Sequence, residues 1–202
     1  CLLNDVAVAT RVLQRDGLAS RVLVVDMDVH QGNGTAAIFE ADPRVYTFSM
    51  HGERNYPTRK MRSTRDVGLD DGIADDEYFA LLQRHLEEIL AGFTPDLVFY
   101  VAGVDPVDGD RYGRLALTDA GLRRRERCVL DACAARSLPV AITIAGGYAP
   151  TPARTAQLHA VVFEEAIVVL VVEEVVVILV IEEVVVLVVV EVVILIVVQR
   201  VV

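Results

Sequence analysis

Cysteine is scarce in this sequence: Cys1, Cys128 and Cys133 stand at neither zinc-knuckle nor redox spacing. No disulfide framework follows from them, so a reducing compartment is the default and a cytoplasmic location is expected. Basic runs are short as well. Arg123–Arg125 is the longest, and the formal net charge is -10. The triplet reads as the solvated face of a helix, which argues against direct nucleic-acid binding. The opening residues lack the charged region of a secretory leader. Uninterrupted apolar runs stay far below the roughly 18–20 residues that a membrane-spanning helix needs, so no membrane partner is expected. Histidine is confined to His30, His51, His85 and His159, with no two adjacent. An initiating Met is also missing, and a chain that begins at Cys1 is expected to be a fragment.

What is present centres on Arg21–Gly34, RVLVVDMDVHQGNG. A short apolar run, Val22 to Val25, breaks into Asp26, Asp28 and His30 at alternating positions and then into a turn with Gly32, Asn33 and Gly34. Such runs read as buried strands of a parallel sheet, in which chemistry collects at the carboxyl ends. Strand alternation puts Asp26, Asp28 and His30 on one side. An imidazole and a carboxylate are first-rank ligands for a divalent metal such as zinc, while the other carboxylate can orient neighbours. The alternative is a strand ending in a solvated acidic turn.

The 202 residues suit one domain with a sizeable core. Asn4 to Arg15 reads as an amphipathic helix stopped at Asp16-Gly17, and Thr35 to Glu40 as a short helical stretch. Val45–Met50 reads as the next strand, ending near Ser49 and His51. His51 to Gly72 reads as a long irregular loop, of the kind that is often functional. Asp75–Leu90 predicts the clearest helix, with Asp75 as its cap and a stripe of Tyr78, Leu81, Leu82, Leu86, Ile89 and Leu90. His85 falls on that stripe and reads as a core or boundary residue. Asp96–Ala102 is a predicted strand that opens into Gly103-Val104-Asp105-Pro106. Thr118 starts a predicted helix to about Arg136, Pro139–Ile144 a strand ending in Ala145-Gly146-Gly147-Tyr148, and Thr151–Glu165 a helix. This alternation predicts an α/β fold with a mainly parallel sheet and helices on both faces.

Residues 1–166 read as that domain. From Ile167 to Val202 the composition changes to Val, Ile, Leu and Glu, with glutamates at 173–174, 182–183 and 191. The spacing matches neither a strand face nor a heptad seam, and β-branched runs without Pro or Gly are an aggregation hazard. This low-complexity tail is expected to be a frameshift, repeat-expansion or prediction artefact rather than evolved domain sequence.

Asp28, His30 and Asp105 brought together by a parallel sheet make a metal site of two carboxylates and one imidazole with positions left open, the pattern of a catalytic zinc site. Iron and cobalt suit the same donors. Tyr148 offers a hydroxyl where an oxyanion would form, and Gly146 and Gly147 let backbone approach a slender substrate closely. His51 and His159 read as surface residues or as residues behind the ligands.

The stretch Asp26–Thr35, DMDVHQGNGT, resembles the D-x-D-V-H-x-G-N-G-T block of the histone deacetylase and acetylpolyamine amidohydrolase superfamily. The resemblance continues in order through Tyr46–His51, Asn55-Tyr56-Pro57, Asp66–Leu69, Gly103–Pro106, Gly109-Asp110 with Gly113-Arg114-Leu115, and Gly146-Gly147-Tyr148. It covers about residues 1–166 and looks most like the bacterial, class IV-like deacetylases. It implies an arginase/deacetylase fold, incomplete in this chain, and zinc-dependent hydrolysis of acetyl-lysine or a related acetylated amine by a metal-activated water. By position, Asp28, His30 and Asp105 would bind one zinc ion, and Tyr148 would polarise the carbonyl. Asp26 and Asn33 match the residues that orient the family's catalytic histidine pair. Asp26 and Ser49, with the backbone carbonyls of Asp28, His30 and Met50, match a structural potassium site; for Ser49 an ordinary buried hydroxyl is the alternative. Tyr56, Gly146 and Gly147 would line the substrate channel.

The histidine pair itself is the departure. In the family it precedes a G-F-C-x-x-N-D stretch, of which Cys1-Leu2-Leu3-Asn4-Asp5 resembles the end. Positioned acid/base groups contribute typically about 10²–10⁴-fold. Two readings follow: a zinc amidohydrolase, or a metal-binding fragment without turnover.

Overall fold

The computed structural model describes residues 3–173, 177–178, 180–181, 184–185 and 195–198. Helices and strands alternate as α1 (Asp5–Arg15), β1 (Val22–Asp26), α2 (Asn33–Phe39), β2 (Val45–Gly52), β3 (Arg65–Leu69), α3 (Asp75–Gly92), β4 (Leu97–Ala102), α4 (Asp119–Ala134), β5 (Val140–Ile144) and α5 (Pro152–Glu173). The strands line up as β3-β2-β1-β4-β5, each neighbouring pair parallel. This is the parallel α/β arrangement expected from the alternation. Strand order runs outward one way from β1 through β2 and β3, then the other way through β4 and β5. The β1/β4 boundary is therefore the switch point where an open α/β sheet forms a crevice.

Period-two alternation divides the core between the two faces of the sheet. Val22 and Val24 of β1 join Phe99, Ala141, Val6 and Ala7 of α1 and Phe39 of α2 on one face. Leu23 and Val25 join Phe48, Val98, Tyr100 and Ile142 on the other, under Tyr78, Leu82 and Leu86 of α3, Val129 and Leu130 of α4 and Val162 of α5. Helices cover both faces, so every residue of β1 is buried. That double cover is why β1 reads as an unbroken apolar run rather than an alternating one.

Asn4 caps α1: its Oδ1 accepts from Ala7 N–H at 2.9 Å, and its amide donates to Thr35 Oγ1 at 2.8 Å, tying α1 to α2.

Three local expectations change. The long polar segment after His51 contains β3, which pairs with β2 from Phe48↔Arg65 to Gly52↔Leu69. Its sequence, RDVGL, is an edge strand with polar residues and a Gly, so it carries little apolar periodicity. Asp75 does not cap its own helix, where Ala74 stands at the N-cap without a side-chain bond. Its carboxylate instead accepts from the Thr118 N–H at 2.9 Å and the Thr118 hydroxyl at 2.6 Å, bracing the N-cap of α4. Helix α5 runs past Glu165 to Glu173 and so crosses into the Val/Glu-rich stretch. Within that stretch β6 (Val177–Ile178) and β9 (Leu195–Val198) pair parallel with β5. Between them, β7 (Val180–Ile181) and β8 (Val184–Val185) pair antiparallel. The glutamates at 174, 182–183 and 191, and Cys1 and Leu2, lie outside the described residues.

Candidate metal centre

The carboxyl ends of β1 and β4 deliver the predicted ligands to one place. Asp28 and His30 follow β1; Asp105 follows β4. One ligand atom from each of the three lies within 4.8 Å of the others. His30 Nδ1 stands 3.0 Å from Asp28 Oδ1 and 3.1 Å from Asp105 Oδ2. Backbone donors hold the carboxylates in this pose: Val29 N–H on Asp105 Oδ1 at 2.8 Å, His30 N–H on Asp28 Oδ1 at 2.8 Å and Gly146 N–H on Asp28 Oδ2 at 2.7 Å.

Electrostatically the cradle is short of positive charge. Hydrogen bonds to Asp105 and Asp28 push the His30 imidazole up to about 10, so a proton sits between the carboxylates. Burial and the neighbouring Asp28 charge raise Asp105. Burial also pushes Asp28 upward, but the His30 ring and backbone N–H outweigh it and hold that carboxyl below its ordinary range. Two carboxylates and an aromatic nitrogen that compete for one proton are a donor set that fits a divalent cation, with open positions for substrate.

Two glycines make room for this. A Cβ on Gly103 would stand 2.7 Å from the Cα of Asp28 and from its Oδ2. A Cβ on Gly146 would stand 2.5 Å from Asp28 Oδ2 and would also run into the Asp105 carboxylate. Gly147 borders His159 and Val104 in the same turn.

Asp26 is buried at the end of β1 and faces Ser49 across the β1–β2 register. Burial and the Asp28 charge raise its pKa well above the carboxylate range. Ser49 is buried, its hydroxyl 3.0 Å from His51 Nδ1, and Met50 follows it in β2. Asn33 opens α2, and together with Asp26 it lines a cavity of about 260 Å³ beside the start of α1. Tyr148 is 43% exposed and Tyr56 74% exposed. The Tyr148 turn is pinned through its backbone. Its N–H donates to Asp110 Oδ2 at 2.5 Å, its carbonyl accepts from Arg111 N–H at 3.0 Å, and its ring meets Tyr112 edge-on at 4.8 Å. Asn55, next to Tyr56, donates to the Tyr112 carbonyl at 2.6 Å, which joins that loop to the same rim.

The other histidines sit deeper than a surface reading allows. His51 is buried against Ser49. His159 lines a pocket with Gly147 and Tyr148, and burial with the nearby Arg125 charge lowers it to about 4. His85 is a boundary residue, as its place on the α3 stripe predicts, with Nδ1 2.9 Å from an Arg65 guanidinium nitrogen.

Arg123–Arg125 is not a uniform solvated face. Arg123 pairs with Glu164 and Glu165, and Arg124 with Asp76, but Arg125 is fully buried beside Glu126. Successive helical residues turn by about 100°, so a triplet necessarily spans two faces. The sequence alone assigns no individual role to Asp110 or Gly103 and reads Arg125 as solvated. Asp110 stands in a recognised block, whereas the burial of Arg125 has no local signal at all.

Comparison with known proteins agrees with this fold. The histone deacetylase domain family matches residues 1–164. An uncharacterized protein of Picosynechococcus is 53% identical over 168 residues, covering 83% of this chain and 54% of that protein. Histone deacetylase 2 of Arabidopsis thaliana is 34% identical over 138 residues, covering 67% of this chain and 36% of that one. The crystal structure of the HDA15 HD domain superposes with a TM-score of 0.67 at 32% identity, covering 86% of this chain and 52% of that one. The chain thus spans about half or less of the length of the curated relatives it matches. On the extent of the domain match and the closeness of these relatives, the chain belongs to the histone deacetylase domain family.

Proposed function

We propose that residues 1–166 carry the metal-binding part of a zinc-dependent deacetylase that hydrolyses the acetyl-amide of acetyl-lysine or a small acetylated amine. The observation that carries this reading is the convergence of Asp28, His30 and Asp105 around one point, with Gly103 and Gly146 leaving no side chain in the way. A zinc ion held there supplies Lewis acidity, polarising an amide carbonyl and making water nucleophilic at neutral pH. The chain's own residues supply the rest. Tyr148, beside the glycine turn, donates its hydroxyl to the developing oxyanion. Gly146 and Gly147 narrow the walls to backbone for an extended alkyl chain, with Tyr56 at the rim. Asp26 and Ser49, opposed across β1 and β2, would hold a structural potassium ion with the carbonyls of Asp28, His30 and Met50.

A specific observation favours a second reading, metal binding without turnover. Among the described residues, the cavity that Asp26 and Asn33 line contains no imidazole to move protons. One experiment separates the two. The chain is loaded with zinc and incubated with an acetyl-lysine peptide and with an acetylated diamine, and acetate release is measured with and without chelator, in the native chain and in Asp105→Asn. Chelator-sensitive release lost in Asp105→Asn supports the enzyme. One zinc per chain without release supports the binding fragment, and a chain that takes up no zinc rules out both.

A further inference from the structure

Helix α4 contributes no metal ligand, yet it buries two charged residues against Met27 and Tyr100, on the chain segments that lead to the ligands. Arg125 and Glu126 are 1% and 0% exposed. Adjacent residues on a helix diverge and do not ordinarily meet. Here Arg125 Nη2 turns back to donate to Glu126 Oε1 at 2.5 Å. Its other terminal nitrogen, Nη1, donates to the backbone carbonyl of Met27 at 3.1 Å. That carbonyl belongs to the Met27–Asp28 peptide, in the link from the end of β1 to the first ligand. Glu126 reaches the neighbouring strand: the Tyr100 hydroxyl of β4 donates to its Oε2. Tyr78 of α3 closes the group, its hydroxyl 3.6 Å from Met27 Sδ.

A fully buried ion pair is a poor stabilising device, because desolvation of both charges offsets their attraction, and apolar residues of similar volume often do as well. What this pair does is geometric. One arm grips Met27, between the end of β1 and Asp28, and the other grips Tyr100 of β4, five residues before Asp105. These are the two strand ends whose separation sets the Asp28–His30–Asp105 triangle. We propose that Arg125 and Glu126 form a buried clamp whose task is to position the β1 and β4 ends, so that metal affinity depends on a helix outside the centre. Both are positioning residues. The proposal rests on the reading that the triad holds a divalent ion. Residues that orient metal ligands typically cost about 10–100-fold in affinity when changed.

The test uses the full 202-residue chain. Arg125→Met alone strands the Glu126 charge and is expected to unfold the chain. The informative variant is therefore Arg125→Met with Glu126→Gln, which removes both charges but keeps an acceptor for Tyr100. Zinc affinity is measured by competition with a chromophoric chelator. Folding is followed by far-UV circular dichroism and by the melting temperature in chelator. The clamp predicts native folding with zinc affinity reduced by about 10–100-fold, and affinity restored to within a few-fold in Arg125→Lys, which keeps a cationic donor. Native affinity in the folded double variant overturns it. So does an affinity loss that merely follows a falling melting temperature and that lysine fails to rescue. If the double variant does not fold, Tyr100→Phe decides: reduced affinity in a folded chain supports the clamp, and native affinity overturns it. Amide exchange in chelator gives a reading independent of metal. Faster exchange at Val29 and Gly146, two of the N–H donors to the ligand carboxylates, in the folded variant supports the clamp even where the native chain leaves zinc unbound, an outcome that would defeat the metal reading instead. Unchanged exchange at both amides counts against it.

Discussion

Gly146 and Asp28 lie 118 positions apart, yet the backbone N–H of Gly146 donates to Asp28 Oδ2 at 2.7 Å. Two parallel pairings bring this about: β1 beside β4, and β4 beside β5. The turn after β5 therefore closes over the turn after β1. A charge-assisted bond from a fixed backbone donor leaves the carboxylate one orientation, and no rotamer search is needed when a cation arrives.

The first prediction concerns that contact. Gly146→Ala adds a Cβ that collides with both ligand carboxylates. The variant should fold, because the turn is at the edge of the core, but its zinc affinity should fall by at least about 10-fold. Titration against a competing chelator measures this, and an alanine variant as tight as the native chain would show that the carboxylates are not held as described.

Asp75 gives a prediction about stability. Its carboxylate holds Thr118, the N-cap of α4, through two hydrogen bonds. Asp75→Ala should cost about 1 kcal/mol, the usual scale for loss of a cap. The shift in denaturant midpoint at unchanged slope reports it. If Asp75 instead capped α3, the loss would appear as fraying of α3, seen by amide exchange at its first turn.

Leu82 tests the packing of α3 on the sheet. It is fully buried among Tyr78, Leu86 and the strand residues of the larger core. Leu82→Ala should destabilise by about 2–5 kcal/mol, through lost transfer free energy and the cavity left behind. A cost below about 1 kcal/mol in equilibrium unfolding would mean that α3 docks loosely.

His159 carries a pH dependence. Burial, with the Arg125 charge, lowers it from 6.5 to about 4 in the folded chain. Between those values the unfolded chain binds more protons than the folded one, so stability rises with pH across the window and is lost as pH falls through it. His159→Gln should flatten part of that slope. Melting temperatures from pH 4 to 7 check it; parallel curves for the two proteins would refute the assignment.

Most of this architecture was legible in the chain. β1 is apolar over consecutive positions because helices cover it twice; strand alternation does not reach Asp28 and His30, which lie in the bend after β1 and are brought together by hydrogen bonds there. Asp105 behind Gly103 and Tyr148 behind two glycines were visible as strand-end chemistry. β3 was not, since an edge strand with Arg, Asp and Gly has no apolar period to read. The cap role of Asp75 and the burial of Arg125 are hidden from the sequence for a related reason: each depends on a partner distant in the chain, 43 positions away for Thr118 and 98 for Met27.

Local pattern alone determined the alternation of helices and parallel strands and the residue types at each strand end, because periodicity and turn chemistry act over a few residues. Tertiary structure decided the rest. Strand order placed the β1 and β4 ends side by side and made three separate side chains one site. Helix docking sent Arg125 inward while Arg123 and Arg124 stayed outside. In that assembled interior the carboxylates of Asp105 and Asp28 raise His30, while burial lowers His159. Those outcomes depend on what surrounds a group in space, and a linear pattern does not carry that information.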